Sequence, residues 1–154
     1  LIICILVLSS CGIEDSLRAY FPMWDRDMLA RNPNFLPQED PYAKLELKGT
    51  DTDAYISKLT GLHYDELQID YTNASDEVRC NSDAFWVQYK FANEWYTVYV
   101  DDYSTMECQV VPPGAKLHLR YLVPAGLFSI PGEYRLYKKG AGYCYISIDS
   151  KMKN

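Results

Sequence analysis

From residue 42 onward, apolar and polar side chains alternate in short runs that turn residues separate. Leu67, Ile69 and Tyr71, for example, alternate with Gln68 and Asp70. Successive side chains of a β-strand point to opposite faces of a sheet, so the pattern predicts strands with one buried face. Many short strands with turns between them indicate an antiparallel β-sandwich or barrel. The predicted strands are 42–48, 54–58, 64–72, 84–91, 95–101, 115–123, 134–138 and 143–149.

The same alternation predicts which side chains form the core. In each strand the apolar residues share one face, while neighbours such as His118 and Arg120 share the other. The predicted core residues are Leu67, Ile69, Tyr71, Leu117, Leu119, Tyr121, Tyr134, Leu136, Ile146 and Ile148.

The sequence begins with an uncharged apolar run, residues 1–8, that leads into Ser9, Ser10 and Cys11. The run is too short to span a bilayer as a helix, which takes about 20 apolar residues, and it predicts the core of an export signal. Residues 8–11, Leu-Ser-Ser-Cys, resemble the lipobox of bacterial lipoproteins. The resemblance implies that Cys11 is lipidated on sulfur and becomes the mature N-terminus. No Met or basic stretch precedes the run, so we expect residues 1–10 to be a truncated signal segment; the alternative is a buried strand or core helix.

Residues 11–41 are predicted to form a lipidated N-terminus and a linker, because they contain four prolines and few β-branched residues. Within this segment, residues 22–31 favour a short helix that begins at Pro22. Trp24 and Met28 would share one face of that helix. They pack either on a partner or on the chain's own domain, and we expect the latter. Residues 150–154 are predicted to be a tail.

A Pro-Gly turn precedes Tyr134 in the stretch Pro131-Gly-Glu-Tyr-Arg-Leu136. This stretch resembles the start of the penultimate strand of an immunoglobulin-like domain, where a tyrosine hydroxyl bonds back to the backbone in a tyrosine corner. Residues 67–76, 95–98, 113–114 and 143–148 are, in the same order, similar to turns and strands of the immunoglobulin-like domains of Gram-positive lipoproteins. The resemblance covers residues 42–149. It implies an immunoglobulin-like β-sandwich that binds or spaces, with Tyr134 as the structural tyrosine corner. Leu136 stands where antibody-type domains have a cysteine, so the core would depend on packing.

The charge and the cysteines exclude several classes of function. The net charge is −6, which argues against nucleic acid as a partner and against binding an anionic membrane by charge alone. Cys144 alternates with Ile146 and is predicted to be a small buried hydrophobe. A bridge between Cys80 and Cys108 stays open, since export permits a disulfide without requiring it. No CxxC spacing is present, so we predict no zinc site.

The aromatic residues of two neighbouring strands suggest a ligand-binding face. If Tyr89 and Val98 face the core, then Trp86, Trp95 and Tyr99 lie together on the exposed face. Aromatic platforms of this kind stack on sugar rings or anchor a protein partner. Two alternatives are that the linker covers this face or that the alternation has the opposite phase.

The sequence contains no recognisable catalytic motif. His63 and His118 are the only histidines, and both are predicted to be solvated surface residues without a neighbouring nucleophile. A Gly-rich phosphate loop and a GxSxG elbow are both absent. Acidic pairs near predicted strand ends lack EF-hand spacing, and we expect solvated charge there rather than calcium. These pairs are Asp51 with Asp53, Asp65 with Glu66, and Asp101 with Asp102.

We therefore predict a non-catalytic binding or scaffolding module, lipid-anchored to a cell membrane and facing away from the cytoplasm. Its partners would be the membrane, through lipid on Cys11, and an envelope protein or glycan; no cofactor, metal or nucleic acid is predicted. One alternative is a carbohydrate-binding or adhesive module that uses Trp86, Trp95 and Tyr99. The other is an envelope enzyme or inhibitor with an unrecognised active loop.

Overall fold

A computed structural model describes residues 12–22, 24, 40–101 and 108–149. Within these residues the chain forms one helix, α1, over residues 12–20, and nine strands. The strands are β1 (Ala43–Ile56), β2 (His63–Asn73), β3 (Arg79–Asn81), β4 (Phe85–Phe91), β5 (Glu94–Asp101), β6 (Gln109–Val111), β7 (Lys116–Pro124), β8 (Gly132–Lys138) and β9 (Gly142–Ile148).

The strands form antiparallel sheets, and two of these face each other across a common core. One sheet has the order β1-β2-β7 and the other the order β5-β4-β8-β9, while β3 and β6 make a separate pair. Buried residues of both large sheets belong to one cluster, with Leu67 and Val123 on one side and Val87 and Leu136 on the other. The predicted all-β, antiparallel, sandwich-like class is thereby confirmed.

Six predicted strands lie within two residues of β2, β4, β5, β7, β8 and β9. The strands expected at 54–58 and 42–48 are instead one strand, β1, whose pairing with β2 shifts register between Leu47 and Gly49 and again between Asp51 and Tyr55. These bulges absorb extra residues, so the strand continues through a polar stretch. The three-residue strands β3 and β6 were not predicted, because an alternation cannot be recognised over so few residues.

Two features set the pairing of β4 with β5: a hairpin turn and a β-bulge. The turn at Ala92 and Asn93 has positive φ at both residues, as a two-residue hairpin turn requires. Further along the same hairpin, Val87 pairs with Tyr99 and Gln88 with Thr97, which leaves Val98 as an extra residue. Beyond this bulge, each side chain of β5 points to the face opposite the one that it would have in a regular strand.

Helix α1 completes the core, which differs from the linker predicted over residues 11–41. Ile13, Leu17 and Phe21 recur every four residues and pack on the sandwich, with Leu17 and Phe21 buried. The Phe21 ring lies 5.3 Å from that of Tyr89. The indole of Trp24 is also buried, and its Nε1 donates to the Thr97 carbonyl of edge strand β5 at 3.0 Å. The described part of the predicted linker, residues 12–22 and Trp24, is thus integrated in the fold.

Several predictions fall on residues outside the described ranges. These are the signal segment 1–10, Cys11, most of the helix expected at 22–31 including Met28, and the tail at 150–154. In the part of the chain that the structure describes, no helix has the length and apolar character needed to cross a membrane.

The predicted core is buried as expected, with Leu117, Leu119 and Ile148 only partly so. Cys144 is a buried free thiol between the sheets, and burial raises its pKa. Cys80 and Cys108 form a disulfide, which the sequence had left open. The bridge joins β3 to the residue before β6 and thereby closes the small strand pair.

Candidate functional site

The outer face of the four-stranded sheet carries a continuous row of aromatic rings. Trp86, Tyr137 and Tyr143 are aligned across β4, β8 and β9, with centroid distances of 5.4 Å and 5.2 Å between neighbours. Tyr145 continues the row 6.1 Å from Tyr143, and Trp95 follows at 6.2 Å. We call these five residues, together with Arg135, the outer aromatic patch.

Arg135 lies between two rings of the patch and fixes their spacing. Its Cζ is 4.4 Å from the Trp95 ring centroid and 4.1 Å from that of Tyr143, within the range of cation–π attraction. Its Nε donates to Oε1 of Gln88 on the neighbouring strand at 2.7 Å, and this hydrogen bond also holds the guanidinium in place. The rings on either side are therefore preorganised rather than free to rotate.

The accessible part of the patch is its Trp95 end. Tyr145 is 63% exposed there, whereas Tyr137 at the Trp86 end is 2% exposed. Trp95 and Tyr145 border an open groove of about 360 Å³, which Lys90, Glu133 and Ser147 also line. Lys90 Nζ contacts Glu133 Oε2 at 2.6 Å and lies 5.7 Å from the Trp95 centroid. Ring faces, a charged pair and a hydroxyl thus meet in one groove.

Two of the three predicted ligand-binding residues lie on this face, and the third does not. Trp86 and Trp95 belong to the patch, but the bulge at Val98 turns Tyr99 toward the core. The Tyr99 ring is 5.9 Å from Phe85, and burial raises the pKa of its hydroxyl to about 12. The predicted grouping of Tyr99 with Trp86 and Trp95 is therefore corrected.

Four residues of the patch were missed in the sequence although a signal was present. The alternation that assigns Leu136 and Ile146 to the core also places Arg135, Tyr137 and Tyr145 on the opposite face. Tyr143 follows from the same alternation in β9. Trp86 and Trp95 lie on strands that are consecutive in the chain, whereas β8 and β9 are brought beside them only by the fold.

Tyr134 occupies a structural position at the start of β8. Its side chain is fully buried among Phe21, Tyr89 and Phe128, and burial raises its pKa. Its hydroxyl donates to the Ile130 carbonyl at 2.7 Å. This bond ties the turn before β8 to the core.

Each histidine contacts a carboxylate. His118 Nδ1 is 2.5 Å from Asp70 Oδ1, and His63 Nδ1 is 3.1 Å from Asp53 Oδ1. Partial burial of Asp70 opposes its ionisation, but the hydrogen bond with His118 and the nearby positive charges outweigh this effect and lower its pKa. Asp65 accepts backbone hydrogen bonds from Asp53 and Gly126, which is a structural role. Among the described side chains, no group of three or more His, Cys, Asp or Glu residues is placed to hold a metal ion.

A buried amine lies at the opposite end of the sandwich from the β4–β5 turn. Lys138 is 1% exposed, and its Nζ donates to the carbonyl of Ser82. Burial lowers the pKa of Lys138 to about 8, although Asp83 acts in the other direction. The side chain of Asn81 and the hydroxyl of Tyr121 are buried without a hydrogen-bond partner among the described residues. The main role of the Lys138 amine is to link β8 to the loop between β3 and β4.

The outer aromatic patch combines ring faces with polar groups, as recognition surfaces do. Its rings offer flat apolar faces, and Lys90, Glu133 and Ser147 offer hydrogen bonds at the edge of the groove. The chain matches no family model, no curated protein and no solved structure.

Proposed function

We propose that this chain is a non-catalytic binding module of a bacterial cell envelope, anchored by lipid on Cys11, and that it binds an envelope glycan at the Trp95 end of the outer aromatic patch. The observation that carries the proposal is the stack in which Arg135 lies between Trp95 and Tyr143. Preorganised rings lose little conformational freedom when a ligand binds.

A glycan suits this groove better than an apolar ligand. Sugar rings present an apolar face together with many hydroxyl groups, and the groove combines both complements. Trp95 and Tyr145 supply ring surface, while Lys90 and Glu133 supply a donor and acceptors within the same 360 Å³ groove. A deep apolar pocket would be the expected site for a hydrophobic small molecule instead.

We further propose that the sandwich is immunoglobulin-like. If β3 and β6 are set aside, the spatial order β1-β2-β7 corresponds to strands A-B-E of such a domain. The order β5-β4-β8-β9 corresponds to strands C′-C-F-G. The position of Tyr134 at the start of the penultimate strand and its bond to Ile130 give further support. An immunoglobulin-like fold does not by itself indicate a ligand, so the patch carries the functional proposal.

The lipid anchor rests on the lipobox-like residues 8–11. Gly12, the next residue after Cys11, already belongs to helix α1, which packs on the sandwich. Lipid on Cys11 would therefore hold the domain close to the bilayer, without a long spacer between the two.

The glycan proposal is tested by binding to purified cell-wall glycan and to a glycan array. We expect Trp95→Ala and Tyr145→Ala each to weaken binding at least tenfold, since each removes ring surface from the groove. Tyr55→Ala is the matched control, because Tyr55 is an exposed tyrosine on the other sheet. Circular dichroism verifies that the variants are folded. Equal binding by all variants, or retention of a protein but no glycan, would contradict the proposal.

A further inference from the structure

The turn between β1 and β2 presents large apolar side chains to solvent. Leu59 is 93% exposed, Ile56 51% and Leu62 48%, and Tyr55 is beside them. We call residues 54–62 the hairpin tip. Soluble domains rarely leave so many neighbouring apolar side chains without a partner.

The hairpin tip has a defined backbone that keeps these side chains outward. Ser57 donates to the Leu62 carbonyl at 2.9 Å, and Gly61 donates to the Ser57 carbonyl at 2.7 Å. Gly61 has a φ of +70°, which a glycine adopts without strain. The apolar side chains are therefore displayed by an ordered turn.

The charge of the hairpin tip also differs from that of the chain. Residues 54–62 include Lys58 and no acidic residue, whereas the chain as a whole has a net charge of −6. Exposed Leu and Ile flanked by Lys and Tyr are the combination found where proteins enter the headgroup region of a bilayer. An anionic lipid surface would attract Lys58, whereas the net negative charge of the chain as a whole would be repelled.

The hairpin tip and the C-terminal end of helix α1 lie at the same end of the sandwich. His63, directly after the tip, accepts a hydrogen bond from Ala125 at 3.0 Å. Residues 125–127 line a cleft of about 120 Å³ together with Tyr20, Phe21 and Pro22, which follow or end α1. Helix α1 has a rise of about 1.5 Å per residue, so Gly12 is only about 12 Å along its axis from Tyr20.

We propose that the hairpin tip inserts into the interfacial region of the same membrane that holds the lipid on Cys11. This inference rests on the proposed function for the location of the chain. Insertion would give the domain a second attachment and a fixed orientation, as a lipid chain alone leaves a protein free to rotate about its tether. A protein partner or a second copy is the competing occupant of the tip.

The test places an environment-sensitive fluorophore on Leu59→Cys in the lipidated protein, reconstituted in phosphatidylglycerol and phosphatidylethanolamine vesicles. Val78→Cys is the matched control, because Val78 is 62% exposed and follows Glu77, which contacts Asn73 at the other end of β2 from the tip. We expect a blue shift and quenching by brominated lipid at position 59 only. Adding Ile56→Ser and Leu62→Ser should reduce the lipid quenching at least fivefold while leaving the chain folded.

Equal exposure of both labels to an aqueous quencher would overturn the proposal. Shielding of position 59 that grows with protein concentration in the absence of vesicles would also overturn it, in favour of self-association. Mass spectrometry of Cys11 tests the proposed function separately. If it detects no lipid, the same labels are measured on protein tethered by an N-terminal hexahistidine tag to a nickel-chelating lipid, so insertion is still decided.

Discussion

At the scale of single residues, a buried thiol, a disulfide and a buried amine distinguish this domain. Cys144 is buried because it alternates with Ile146, a pattern visible in the sequence. The bond between Cys80 and Cys108 depends on the pairing of β3 with β6, strands too short to recognise beforehand. Lys138 follows the alternation of Tyr134 and Leu136 and therefore faces inward, but its partner, the carbonyl of Ser82, depends on the folded chain.

The buried amine of Lys138 gives a pH-dependent contribution to stability. Its pKa is lowered from 10.5 to about 8 in the folded chain. Between these values the unfolded chain binds more protons than the folded one, so this group makes the free energy of unfolding rise with pH. The expected rise is about 2 kcal/mol from pH 8 to pH 10, from about 1.4 kcal/mol per pKa unit.

Lys138→Met should remove this rise, and urea unfolding at pH 8, 9 and 10 measures it. Lys139→Met is the control, since Lys139 is the exposed neighbour. All proteins also have Cys144→Ala, which prevents exchange between the free thiol and the disulfide. Tyrosine titrations are common to all of them and cancel in the difference. Parallel pH profiles for Lys138→Met and its parent would refute the assignment.

At the scale of elements, the bulge in β5 and helix α1 are two features that the sequence did not predict. Nothing in residues 95–100 marks the position where Val98 is inserted, because apolar residues there fit either phase of the alternation. Helix α1 does carry a stripe of apolar residues at four-residue intervals, but the prolines after it suggested a linker. Packing on the sandwich, rather than local propensity, makes this segment part of the domain.

Helix α1 should contribute to the stability of the whole sandwich. Leu17 is fully buried, so Leu17→Ala should lower the free energy of unfolding by about 2–4 kcal/mol, as for other buried leucines. Asp15→Ala, on the exposed side of the same helix, should change it by less than about 0.5 kcal/mol. Urea unfolding followed by far-ultraviolet circular dichroism measures both. An unchanged midpoint for Leu17→Ala would mean that the helix detaches before the sandwich unfolds.

At the scale of the whole molecule, the predicted class of fold is correct, and the two proposed binding surfaces lie in different places. The outer aromatic patch belongs to one sheet, whereas the hairpin tip belongs to the other sheet and to the end where α1 packs. The sequence indicated two of the six residues of the patch, Trp86 and Trp95, since outward facing can be read from alternation. The tip was not recognised, because its significance depends on exposure and on its closeness to α1, and both are properties of the folded chain.

Attachment of the whole protein to the membrane should depend mainly on Cys11. Its net charge of −6 opposes electrostatic adsorption to anionic lipid, so the proposed acyl chains on Cys11 would supply most of the attachment and the hairpin tip would add to it. Cys11→Ser should therefore move the protein from the membrane fraction to the soluble fraction without changing its thermal midpoint. Leu59→Asp should leave the protein in the membrane fraction, because the lipid remains. Fractionation of expressing cells, with mass spectrometry of Cys11, measures both effects. If Cys11→Ser remains in the membrane fraction, another segment holds the protein there and the lipid-anchor proposal is wrong.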